Sequence, residues 1–412
     1  MVKHQAYFDF LAGSDPGAPE WQPVLAGLAT LRLIDARIDV DESHRERDWA
    51  SFESVRQVVT AVNVGDPVRA ILLHLIETVN RADIPREDVG QGLLSYGRAL
   101  NFAGRWALAC DAFASADRVA GAPLMPRLSV EANIAHGAAA RKMGDWPASA
   151  DAYARAAHIA TTVGDSAGAL QVDVGVANNH MARGNLPTAE SLLDNVIGNA
   201  RAGGFDEVLG LALHSRASVA HLKGAYAEAV RLGHEALEAT RNLTARDGIL
   251  SDIAAAFAGM GMRDAARDGY LIVAVTAQSQ WVRWQATLNL MELAAVDGRE
   301  ADFDAYAREL EVAPLAPRLR AYYYIFLSAG QQKFGRNVEA EGSLARGLEF
   351  AQQNQLHQIA HEAQAAIAEL ESRTSGRAGK VETPVKAEVP SEVSRVANAL
   401  SDLLREAAAS SP

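Results

Sequence analysis

The sequence predicts an all-α fold in which helix–turn–helix units stack into one elongated solenoid, and three observations carry that prediction. First, glycine recurs at Gly104, Gly144, Gly184 and Gly224 with a spacing of 40, then at Gly261, Gly298 and Gly335 with a spacing of 37. A fixed period of this length marks supersecondary units that cannot bury their apolar faces alone and must stack on their neighbours. Second, the 412-residue chain is 49% hydrophobic but only 6% aromatic and holds 14 prolines, which suits helices packed closely through small side chains. Third, offsets counted from each glycine keep their chemical character. Seven residues before it stand Gly97, Gly137, Ala177, Ala217, Ala254 and Ser328, with Met291 the one large exception. Five after it stand Ala109, Ser149, Ala189, Ala229, Ala266 and Ala340, with Phe303 the exception.

In chain order, Gly13 to Pro19 is turn-rich and cannot continue a helix. Trp21 to Ile38 carries Leu25, Leu28, Leu31 and Ile34 at helical spacing and reads as the first amphipathic helix. From Trp49 a second apolar stripe runs through Phe52, Val55, Val59 and Val62 and stops at Gly65-Asp66-Pro67, where Pro opens the next helix. Residues 1–89 are therefore expected to form N-terminal helices and a degenerate capping repeat, and 90–354 seven repeats. The residue two after the glycine is apolar at Trp106, Trp146, Leu186 and Tyr226 but polar at Arg263, Glu300 and Asn337, so a bend is expected near residues 240 to 250. Leu356, Ile359, Ala363 and Leu370 mark a capping helix over 355–372. A Ser, Gly, Thr, Pro and Lys-rich stretch over 373–390 reads as a disordered linker. Residues 391–412 end the chain in a short amphipathic helix with Val393, Val396, Leu400, Leu403 and Leu404 on one face. A helix this short is marginal alone in water, so its apolar face implies a docking site.

The clearest unit reads Leu93-x-x-Tyr96-Gly97-x-x-Leu100, then Gly104, then Trp106, Ala109, Phe113 and Ala116. This pattern resembles the tetratricopeptide repeat family over roughly residues 90 to 350. The family's steric logic places small residues where the two helices of a unit cross and a large one, as at Phe113 or Tyr153, in the gap between units. The unit around Gly298 departs from it, because Phe303 and Ala307 have exchanged sizes. The resemblance implies a right-handed superhelix with the first helix of every unit lining a concave groove. On that reading Arg98, Asn101, Glu131, Arg141, Lys142, Asn178, His214, Ser218, His221 and Tyr322 face the groove, against the plainer reading of solvated helix faces and, for Tyr322, of core.

The net charge of −12, spread over the chain, argues against nucleic acid as the main ligand. Cys110 is the only cysteine, so neither an internal disulfide nor a thiolate metal cluster can form, and a reducing, cytoplasmic address is the simplest expectation. No apolar run approaches the roughly 18 residues needed to cross a bilayer, so no membrane insertion is expected. No phosphate loop, nucleophile elbow or dinucleotide fingerprint is present, and no cofactor or enzymatic activity is expected. His357 and His361 lie one helical turn apart beside Glu362, but two imidazoles do not make a metal site. The function expected is a protein- or peptide-binding scaffold, an adaptor or regulatory sensor. The alternative is a self-inhibited or oligomerising module, in which the tail helix docks in its own groove or associates between copies through residues 391–406. A metal-dependent enzyme ranks last.

Overall fold

The computed structural model describes residues 3–38, 52–354, 356–374 and 389–409. The expected helix start at Trp49 lies outside them, and so do residues 375–388 of the linker. All regular structure among the described residues is helical, and the chain divides into two compact units, 1–192 and 193–412, with the boundary inside α10 (Leu186–Gly203). The division therefore falls earlier than the change of period near residue 245.

The first unit opens with α1 (Gln5–Gly13), α2 (Trp21–Ile38), α3 (Phe52–Thr60) and α4 (Pro67–Val79). Two helix pairs follow: α5 (Arg86–Phe102) with α6 (Trp106–Ala120), and α7 (Pro126–Lys142) with α8 (Trp146–Val163). After them comes α9 (Ser166–Ala182). Helix α1 has no counterpart in the sequence reading. It packs on α2 and α6 through Tyr7, which is fully buried with its hydroxyl 3.3 Å from that of Tyr96. His4 precedes it, buried between Asp111, 2.6 Å from Nδ1, and Asp35, 3.1 Å from Nε2.

The second unit holds α11 (Asp206–Leu222), α12 (Tyr226–Ala239), α13 (Leu243–Gly259), α14 (Arg263–Thr276), α15 (Gln280–Val296), α16 (Glu300–Val312), α17 (Pro317–Lys333) and α18 (Asn337–Gln353). It ends in α19 (His357–Thr374) and α20 (Ser391–Ala409). Within each unit, the first helices of successive pairs touch: α5 with α7 and α7 with α9, then α11 with α13, α13 with α15 and α15 with α17.

All seven period glycines close a helix in the left-handed conformation, with φ from 73° at Gly261 to 77° at Gly104. The residue after each donates its N–H to a carbonyl five back, as Arg105 does to Leu100 at 2.8 Å and Arg336 to Gln331 at 2.8 Å. This is the Schellman closure, in which a residue without Cβ reverses the chain and satisfies carbonyls left over at a helix end. The change of period lies in the second helix and the link after it. Helices α8 and α10 have 18 residues and α12 and α14 have 14, about one helical turn less, while α6, with 15, reaches the 40-residue period through a longer link over 121–125.

The small residues seven before the glycine make room for the large ones nine after it. A Cβ on Gly97 would come within 2.5 Å of the Phe113 ring, and one on Gly137 within 2.9 Å of Tyr153. The unit around Gly298 solves the same problem differently. Met291 and Phe303 are both fully buried while Ala307 is small, and the Phe303 ring occupies the space a side chain at Gly330 of α17 would need. The size exchange read from the sequence thus moves the bulk from α16's later turn to its first, against the next first helix.

The tail helix α20 docks in cis on the second helices α14 and α12. Val393, Val396 and Leu400 are buried there, and Ser401 Oγ donates to Asp268 Oδ2 at 2.6 Å. Docking on second helices differs from the groove plug that the sequence reading entertained.

Candidate functional site

In the first unit, the polar residues that the repeat phase places on the first helices do meet. Arg98 of α5 pairs with Glu131 of α7, and Lys142 Nζ of α7 donates to Asn101 Oδ1 of α5 at 3.2 Å. These links tie neighbouring first helices together across their exposed faces. As solvent-exposed pairs each contributes at most about 1 kcal/mol.

Arg141 and Asn178 behave differently. Arg141 Nε and Asn178 Oδ1 are both withdrawn from solvent, and neither has a hydrogen-bond partner among the described residues. The Arg141 side chain lies beside the Tyr153 hydroxyl, whose pKa is raised by burial and held back by that guanidinium. A buried donor and a buried acceptor on the adjacent helices α7 and α9 are thus left with open hydrogen-bonding capacity. Such atoms cost on the order of 1–3 kcal/mol each when unmatched.

In the second unit His214 Nε2 of α11 lies 2.7 Å from Asp252 Oδ2 of α13. Ser218 Oγ donates to His214 O at 3.1 Å, within its own helix. His221 meets Tyr226 edge-on at 5.1 Å between ring centroids. Tyr322 is half-buried beside Phe326, 6.0 Å between centroids, with the Arg318 guanidinium 5.8 Å from its ring centre. His357 and His361 are exposed on α19, and no cluster of three or more metal-ligating side chains occurs among the described residues. No described helix is long and apolar enough to cross a membrane.

The sequence reading passed over a cleft of 640 Å³ in the second unit. It lies at the turn ends of α11, α13 and α15, lined by Tyr226, Met260, Tyr270, Asn289, Glu292 and Val296, with Val389 and Pro390 ahead of α20. Glu292 stands six residues before Gly298, the same offset as Arg98, Asn178 and Ser218, so applying that offset to the unit around Gly298 would have found it. The tail's part in the cleft has no local sequence signal, because it depends on where α20 docks.

No protein-family model matches the chain, and no curated protein matches it. Among solved structures it is similar to NprR in complex with its cognate peptide NprX, at 13% identity and a TM-score of 0.45, over 76% of this chain and 97% of that one. It is also similar to a Rap protein complexed with competence and sporulation factor, at 13% identity and a TM-score of 0.36, over 87% of this chain and 99% of that one.

Proposed function

We propose that the chain is a binding scaffold of the adaptor or sensor kind, and that the first helices of its first unit take a peptide segment of another protein. The observation that carries this reading is the pair of orphaned atoms, Arg141 Nε and Asn178 Oδ1. An extended peptide offers a carbonyl and an N–H at every residue, the complement of one donor and one acceptor on neighbouring helices. Arg98, Asn101, Glu131 and Lys142 then form the polar rim, already cross-linked and so held in place before a ligand arrives. In this reading the chain has no catalytic role and needs no cofactor, and the lone, buried Cys110 suits a reducing compartment. Panning the immobilised chain against a displayed random-peptide library should enrich a consensus of a few residues. A library that yields no enrichment above that on bare support would sink the proposal.

A second reading, control by the C-terminal helix, is favoured by the incomplete burial of α20: its inner face is covered while Leu403 stays 53% exposed. The remaining apolar edge is available for pairing between copies through residues 391–406. Sedimentation of the full chain from micromolar to millimolar concentration tests it, and a strictly constant mass would remove this reading.

A further inference from the structure

The cleft of the second unit combines three features. Its walls at Tyr226, Met260, Leu293 and Val296 are apolar, and its 640 Å³ lies within the range of small-ligand sites. Its acid, Glu292, has no counter-ion among the described residues. The cations around it face other acids: Arg263, which itself lines the cleft, lies 3.4 Å from Asp297, and Arg299 is held by Asp297 and Asp302. The third feature is aromatic. Tyr226 is half-buried at the cleft, and its ring face attracts a cation through its quadrupole, while Tyr270 is packed into the core behind the lining.

We propose that this cleft binds a guanidinium or ammonium group carried on an aliphatic stem, with Glu292 as its counter-ion and Val389–Pro390 as one wall. The stem lies along Met260, Leu293 and Val296, while the charged head reaches Glu292 and the amide of Asn289, one helical turn earlier. Glu292 stands at the exposed edge of the cleft, where partial desolvation raises the pKa of its carboxyl, and the buried Tyr270 hydroxyl, also raised by desolvation, feels the Glu292 charge. A cation that enters the cleft offsets this partial desolvation. The net charge of −12 also favours approach of a cation. Because Val389 and Pro390 lead directly into α20, docking of the tail completes the site. The site lies wholly in the second unit and stands independently of the peptide-binding reading of the first.

Calorimetric titration of the full chain with acetyl-Ala-Arg-Ala-amide, its citrulline counterpart and agmatine tests the proposal. Citrulline keeps the shape of arginine and removes its charge. The arginine peptide should bind at least tenfold more tightly than the citrulline peptide, and Glu292→Gln should abolish the difference. Binding of agmatine as well as the peptide would identify a free cation as sufficient, whereas binding of the peptide alone would assign the site to a side chain of a peptide. Val296→Trp, a change at a half-exposed wall position, should fill the cleft and remove binding even if Glu292→Gln proves unstable. Leu400→Asp, which undocks α20, should weaken binding several-fold. Equal affinity for arginine and citrulline, or an arginine preference that survives Glu292→Gln, would overturn the proposal, and an unchanged affinity in Leu400→Asp would overturn the tail's part in it.

Discussion

His4 shows how much a single residue can anchor. Its backbone is left-handed, φ 62°, and its ring bridges two carboxylates from α2 and α6. Burial alone would lower its pKa, but the hydrogen bonds and charges of Asp111 and Asp35 override this and raise it to about 9. Asp35 would be raised by burial, yet the His4 hydrogen bond and the charges of Arg118, His4 and Lys3 bring it down to about 2. The two effects have opposite pH signs. The imidazolium's contribution is complete below its ordinary value of 6.5 and lost as pH rises through about 9, while that of Asp35 is complete above 3.8 and lost as pH falls through about 2. The clasp is thus strongest between roughly pH 4 and 6.5. His4→Ala should cost on the order of 3 kcal/mol at pH 6, and urea midpoints at pH 9.5 should show a smaller gap from the parent chain. Glycines give a second residue-scale contrast. Gly330→Ala would drive a methyl into the Phe303 ring and should cost about 1–3 kcal/mol, whereas Gly342→Ala meets nothing within 4 Å and should stabilise α18 by about 0.5–1 kcal/mol. Urea denaturation of both variants checks the sign.

At the scale of elements, the turn glycines were legible because their requirement is local: a left-handed residue at a helix end admits little else. Gly261→Ala, at φ 73°, should therefore cost about 1–2 kcal/mol although no atom lies within 4 Å of the added methyl, and the urea midpoint would show it. Helix α1 was missed because Tyr7, Phe8, Phe10 and Leu11 form only two turns, too short for a periodic signal, and its stability comes from distant partners such as Tyr96 and Leu108. The apolar stripe of α20 was equally plain in sequence, but its address was not. The position of Val393, Val396 and Leu400 against α12 and α14 is a long-range choice that no local spacing encodes. Leu400→Asp should release α20, so its amides exchange with solvent at the rates of a free short helix while those of α12 and α14 remain protected. Protection of α20 in that variant would mean that Leu400 is not its anchor.

At the scale of the whole molecule, a repeat array gives each first helix the same job and lets exposed positions diverge. That is why the offset from the glycine located Arg98, Asn101, Glu131 and Lys142 on neighbouring helices, where they pair with one another. It could not say which positions would stay unmatched, since that depends on how far each side chain is covered by its neighbours. The sequence already puts Arg141 and Asn178 on the expected groove face, but that their Nε and Oδ1 atoms stay unmatched emerges only from the packed structure. The central claim, peptide binding on the first helices of the first unit, is tested most directly by the affinity of a library-selected peptide for the parent chain and for Asn178→Leu. Removing the orphaned acceptor while keeping the side chain's bulk should weaken binding at least tenfold with the urea midpoint unchanged or raised. Equal affinity for the two proteins would contradict the account.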